Sequence, residues 1–233
     1  MDEQETDHST AMTRRRLMLG AASAAIVVAL GAGMYLWREP ETAGAAPSAG
    51  GEVSMAELMT PGPLGDEVMG SADAPVTIVE YASMTCPHCA HFHQTTYSEM
   101  KKKYVDTGKV RFIFREFPLD QLALAGSALA RCAGKDKFFP MIEALFAQQS
   151  DWVVQKPIQP LLAIAKQAGF TQQTFDQCLE NQQVIKGIEE SRNRAANKFG
   201  VNSTPTFFIN GKIFRGALTP EELDKQVASY LKG

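Results

Sequence analysis

The chain has 233 residues, 45% of them hydrophobic and 21% charged, with a net charge of −3. That length suits one good-sized domain, or one domain with an insertion, and the composition is that of an ordinary globular protein. No long basic run appears, and Lys101-Lys102-Lys103 reads as a solvated helix face, which argues against nucleic acid as a partner.

The N-terminus carries "TRRRLMLGAASAAIVVALGAGMYLW": three arginines, then an uncharged run of 21 residues from Leu17 to Trp37. A basic flank followed by an apolar segment is the layout of an export signal. The arginines are expected to stay cytoplasmic, sending the remainder across the membrane. Thr13-Arg14-Arg15-Arg16-Leu17-Met18 matches a twin-arginine signal in part. The run is long enough to span a bilayer, yet Ala43-Gly44-Ala45 offers a cleavage site. Residues 1–38 are therefore expected to be a cleaved signal or a retained anchor, and both place the folded part outside the cytoplasm. Residues 39–51, rich in Ala, Gly, Pro, Ser and Thr, read as a flexible linker.

The folded region is expected from Glu52. "PVTIVEYAS" is a β-branched apolar run and predicts a buried strand. Pro87 sits where a helix begins, and apolar or aromatic residues at Phe92, Tyr97, Met100 and Tyr104 keep helical spacing to about residue 104. "VRFIFREF" from Val110 is a second strand, ended by Pro118. From Leu119 to Phe199 Ala, Leu, Gln and Lys dominate, and helices are predicted over 119–133, 137–148, 158–168, 172–179 and 182–199. Strand character returns at "PTFFING", where Asn210-Gly211 signals a hairpin with "KIFRG" as the returning strand. "TPEELDKQVASYLKG" opens a last helix with Thr219 as cap and Pro220 in its first position. The predicted fold is α/β: a βαβ half (52–118), an inserted helical block (119–199) and a ββα half (200–233).

The chemistry concentrates in "VEYASMTCPHCAHFH", Val79 to His93. With Pro87 opening the helix, Cys86 is its cap residue and Cys89 lies one turn in. Unpaired backbone N–H groups and the helix dipole favour negative charge there, so Cys86 is the candidate nucleophilic thiolate. A charged or hydrogen-bonding His88 beside it would add to the effect. Cys89 is placed to resolve a mixed disulfide. Cys86, Cys89, His91 and His93 also form a tempting metal set. His91 and Cys89, however, stand two apart on a helix and point apart, so ordinary helix positions are expected for His91 and His93. Glu80, between apolar neighbours on the strand feeding this helix, is expected to be buried and to relay the proton of Cys89. The alternative is an ion pair with Arg115.

"VEYASMTCPHC" resembles the DsbA-like branch of the thioredoxin superfamily, whose acid-aromatic-x-Ser pattern before CPHC is matched by Glu80, Tyr81 and Ser83. The resemblance covers about 52–233. It implies a thioredoxin fold with an inserted helical domain, and a periplasmic thiol:disulfide oxidase acting through Cys86-Pro87-His88-Cys89. It also implies a cis Thr204-Pro205 bond packed against the cysteine pair, with Thr204 offering backbone groups to an extended substrate segment. Thr204 departs from the valine that some DsbA proteins carry. Unfolded exported proteins are the implied substrates, a quinone-linked DsbB-type membrane protein the implied reoxidant, and a monomer without organic cofactor the implied state. Some DsbA-like proteins have a second disulfide in the helical domain, which would pair Cys132 with Cys178; two separate buried thiols are the alternative. A disulfide isomerase or reductase, or a metal-binding module using the same cysteines, are the rival functions. The isomerases usually carry an added dimerisation segment, and only the stretch from Gly51 to Ser71 precedes the first clear strand.

Overall fold

The computed structural model describes residues 48–231. The centre of the fold is strand β3 (Val76–Ala82), six of whose seven residues are buried, as its β-branched apolar run requires. It pairs in parallel with β4 (Val110–Glu116) and antiparallel with β5 (Thr206–Ile209), which continues antiparallel into β6 (Lys212–Arg215). The turn between β5 and β6 is Asn210-Gly211 with φ of 46° and 89°, the positive values that an Asn-Gly hairpin supplies.

Two further strands complete a six-stranded sheet, and neither was expected. Strand β1 (Ser48–Glu52) lies antiparallel on β6, and β2 (Glu67–Met69) lies antiparallel on β4. The predicted linker over 39–51 is thus corrected at its end: residues 48–51 belong to the sheet, and 39–47 lie outside the described residues. The physical reason is that an open sheet edge offers unpaired backbone groups, and main-chain pairing needs no side-chain pattern. The predicted signal or anchor, 1–38, also lies outside the described residues; among those described, no helix is long and apolar enough to cross a membrane.

Period-two alternation sorts the central strands between two cores. Ile78, Phe112, Phe114 and Phe207 pack on one face beneath helix α2 (Pro87–Thr95) and the helical block. Val79, Tyr81, Ile113 and Phe208 pack on the other with Leu58 of the short helix α1 (Met55–Leu58), Ala195 and Phe199. Glu80, even-numbered like Ile78, therefore faces α2.

The crossover from β3 to β4 is broken where one helix was expected. Helix α2 (Pro87–Thr95) gives way at Thr96 to α3 (Tyr97–Met100) and a π-helical turn (Lys101–Val105). Thr96 Oγ1 donates to the carbonyl of Leu218 at 2.8 Å, and Thr95 Oγ1 donates back to His91 O at 2.8 Å. Two adjacent β-branched residues whose hydroxyls compete for backbone acceptors weaken a helix interior.

Between β4 and β5 run six helices: α4 (Gln121–Cys132), α5 (Lys135–Ala147), α6 (Gln149–Trp152), α7 (Ile158–Gln167), α8 (Gln172–Leu179) and α9 (Gln182–Phe199). The short α6 was not predicted. Asp120 caps α4 by accepting from Ala123 N at 2.7 Å, and Asn181 caps α9 through the backbone N–H groups of Gln183 and Val184. Gly200, left-handed at φ 65°, ends α9. Helix α10 (Pro220–Leu231) closes the chain, its start held by reciprocal bonds between Thr219 and Glu222.

Candidate active site

Cys86 caps α2 with extended backbone angles and Pro87 takes the first helical position, so the chain turns sharply from β3 into the helix. Both Cys86 and Cys89 are free and buried, Cys86 6% exposed and Cys89 fully covered. The Cys86 thiol is lowered to about 5. The largest cause is a hydrogen bond donated by the Cys89 thiol; burial works against it, and the Thr204 side chain and the backbone N–H groups of Cys89 and His88 add to the lowering. Burial pushes the Cys89 thiol up, well above its ordinary range, reinforced by its bond to Cys86, by the Cys86 charge and by the Glu80 carboxylate; the Ser83 backbone opposes. The two sulfurs are thus pushed apart in opposite senses: one is set as nucleophile, the other as a proton carrier.

His88 is exposed, and what it contributes to Cys86 comes from its backbone N–H, where the sequence pointed to its ring. Thr204 and Pro205 are brought against the pair. Their peptide bond is cis, both residues are buried, and the Thr204 carbonyl accepts from Cys86 Sγ at 3.2 Å in the thiol form. The Thr204 hydroxyl is buried without a protein partner of its own, free to turn to the sulfur once it is charged.

Glu80 is fully buried beneath α2. Its partner is not Arg115, which bonds Asp66 and the Tyr81 hydroxyl instead. Glu80 Oε2 meets His93 Nε2 at 3.0 Å, and the imidazole is stacked between Tyr97 and Phe146, ring centroids 4.6 and 4.4 Å away. From its place in the sequence His93 is expected to be an ordinary helix position, and the structure makes it the partner of Glu80. A signal was available: His93 follows Cys89 by four residues, so both share one face of α2, and Glu80 lies on the sheet face opposite. Gln149, at the start of α6, was missed too; its amide donates to the carbonyls of Met84 at 2.8 Å and Cys86 at 3.0 Å.

His91 is exposed on the far side of α2 and His93 is engaged by Glu80, so the candidate metal set is not assembled. Among the described residues no three His, Cys, Asp or Glu side chains converge on one point. Cys132 and Cys178 form a disulfide between the last turn of α4 and α8, with Cα atoms 6.1 Å apart.

A thioredoxin family model matches residues 64–229. The crystal structure of Wolbachia pipientis alpha-DsbA1 superposes with a TM-score of 0.71 at 31% identity, over 77% of this chain and 97% of that one. Oxidised BdbD from Bacillus subtilis follows with a TM-score of 0.62 at 26% identity, over 78% and 97%. A Rickettsia felis protein whose name carries "protein-disulfide oxidoreductase" is 37% identical over 148 residues, 63% of this chain and 53% of that protein. The chain thus spans about half the length of the curated relatives it matches first. The chain belongs to the thioredoxin family, and within it to the DsbA-like branch.

Proposed function

We propose that this protein is an extracytoplasmic, periplasmic thiol:disulfide oxidase that introduces disulfide bonds into exported proteins. The observation that carries the reading is the set of donors around Cys86. A thiolate held that far below the ordinary thiol range stabilises the reduced form, which makes the Cys86–Cys89 disulfide oxidising.

In the forward reaction a substrate thiolate attacks Cys86 of the disulfide. A mixed disulfide forms on Cys86 and Cys89 leaves as a thiolate, which takes up a proton. A second substrate thiolate then attacks the substrate sulfur of the mixed disulfide and displaces the Cys86 thiolate. The substrate loses two electrons and gains a disulfide; the protein gains both. Thr204 supplies backbone groups for an extended substrate segment, Pro205 packs the pair, and Glu80 relays the proton of Cys89. Reoxidation falls to a membrane protein of the DsbB type linked to quinone, and the cycle needs no organic cofactor. The Cys132–Cys178 bridge and the basic-then-apolar segment before Trp37 support an oxidising, exported location.

The test is the equilibrium of the full chain with glutathione, beside a thiolate-absorbance titration of Cys86. Ionisation at about 5 and a potential towards that of DsbA, about −120 mV, are expected. A thioredoxin-like value of about −270 mV would overturn the oxidase in favour of a reductase or isomerase. Tight stoichiometric metal protecting both thiols would overturn it in favour of a binding module.

A further inference from the structure

Cys89 needs a proton when it leaves Cys86 and must lose one when it attacks. It is fully covered, and so is Glu80. A relay confined to these two groups has no contact with water. The Glu80–His93 pair is built differently from a closed ion pair, because it is open at both ends. Glu80 Oε1 is buried with no protein partner, and so is His93 Nδ1. Between these free atoms lies the single bond from Nε2 to Oε2.

The imidazole also forms part of a pocket wall; with its side chain 2% exposed it is the least covered of Cys89, Glu80 and His93. His93 lines a pocket of about 400 Å³ together with Tyr97, Ser98, Lys102, Glu143 and Phe146. Ser98 and Lys102 are exposed, so the pocket opens to solvent. Strand β4 packs on the ring only through Phe114, and the other surrounding elements contribute the groups that bear on its charge. These are Glu80 from β3, Cys89 from its own helix, Tyr97 from α3, Glu143 from α5, and Lys101, Lys102 and Asp106 around the π-helical turn. Lys101 is already paired with Asp106 at 2.8 Å. Burial, and after it the Glu143 carboxylate, keeps the Tyr97 hydroxyl protonated.

We infer that His93 is the proton port of the redox centre: it exchanges protons with solvent in this pocket and passes them across its ring to Glu80, and through Glu80 to and from Cys89. An imidazole carries a proton on either nitrogen, so uptake at Nδ1 and release at Nε2 need no movement of the stacked ring. The pocket is lined by residues of α2, α3, α5 and the π-helical turn, and neither Cys86 nor Thr204 is among them. Protons can therefore reach Cys89 while a bound substrate covers Cys86. The inference rests on the proposed relay through Glu80.

The experiment follows the reduced full chain reacting with oxidised glutathione. Cys86 thiolate attacks first, at a rate set by glutathione concentration. Cys89 then loses its proton and attacks Cys86, releasing glutathione at a rate independent of concentration. His93→Gln keeps a hydrogen-bonding group towards Glu80 but cannot shuttle a proton. It is expected to leave the first step unchanged and slow the second by on the order of 100-fold near neutral pH, with the deficit shrinking in alkali. His93→Gly is expected to be slowed likewise and to recover as imidazole is added. Ser98→Trp, at an exposed position, is expected to slow the second step by obstructing the pocket, and it keeps the test decisive should the His93 variants fail to fold. A second step at the wild-type rate in either His93→Gln or Ser98→Trp overturns the port, as does equal slowing of both steps. A thioredoxin-like potential would overturn the oxidase reading alone, since the second step is measured whichever way electrons flow in the cell.

Discussion

The four cysteines make two pairs, and their surroundings differ more than their chemistry. Cys86 and Cys89 sit three apart at one helix start, with donors gathered on the outer sulfur. Cys132 and Cys178 are 46 apart in sequence and tie two helices together. The Cys178 sulfur lies 3.2 Å from the Ala128 carbonyl oxygen, an acceptor that would oppose any charge on it. Donors around a sulfur favour its thiolate and so the open pair; an acceptor favours the closed one. Cys86 also faces a carbonyl, that of Thr204 at 3.2 Å, so what tells the reactive cysteine from the structural one here is the set of donors that Cys86 gathers in addition.

The strongest break of this comparison removes one sulfur from the reactive pair. Cys86→Ala is expected to abolish disulfide transfer to a reduced unfolded protein, leaving only the uncatalysed background, because Cys89 is covered and held protonated. Measurable transfer by the variant would show that the roles of the two sulfurs are misassigned.

A pH series sharpens the same asymmetry. Cys86 ionises at about 5 in the folded reduced protein against an ordinary 9.0, so between those values the unfolded state binds the extra proton. Stability of the reduced form relative to the oxidised form should therefore rise with pH, by at most about 1.4 kcal/mol per unit, from about pH 5 to about pH 9. It should be flat below that window. Above it the trend should reverse, because Cys89 stays protonated in the fold but ionises in the unfolded chain. Denaturant unfolding of both redox forms across pH measures this, and a difference independent of pH would mean that Cys86 is not held as a thiolate.

The helical-block pair should respond in the opposite way. The double variant Cys132→Ala/Cys178→Ala is expected to lose about 2–4 kcal/mol of stability in urea unfolding and to keep its transfer rate. Loss of transfer in a variant that is still folded would mean that the second bridge shapes the active site.

How much of this was legible beforehand depends on whether a residue answers to its neighbours in sequence or in space. The run before Ala82, the Pro87 helix start, the Asn210-Gly211 turn and the Thr219 cap are local physics, and they appear where the pattern places them. Strands β1 and β2 are held by backbone pairing to edges formed elsewhere, so their side chains carry little signal. The break at Thr96 depends on a carbonyl at Leu218, distant in sequence. Within the site, Cys86 and Cys89 were readable from position alone. The Glu80–His93 bond needed the facing of a strand against a helix, and the largest influence on Cys86, the Cys89 thiol, needed the distance between them.

Gln149 joins the two regions, and its loss is the smallest effect expected here. It stands at the start of α6 in the helical block and donates to the Met84 and Cys86 carbonyls at the head of α2. Cys86 O retains a second donor in Ala90 N, at 3.1 Å, so Gln149→Ala leaves only Met84 O unpaired by the block. The expected cost is about 1 kcal/mol in urea unfolding of the reduced protein. Gln149→Glu is the sharper variant. A carboxylate cannot donate, so it would face two carbonyl oxygens, and its charge would lie beside the Cys86 thiolate. It should therefore destabilise more than alanine does and move the Cys86 titration upward from about 5. If both variants cost the same and neither moves that titration, the helical block supports the redox motif through packing alone, and the amide clamp has no electrostatic part in it.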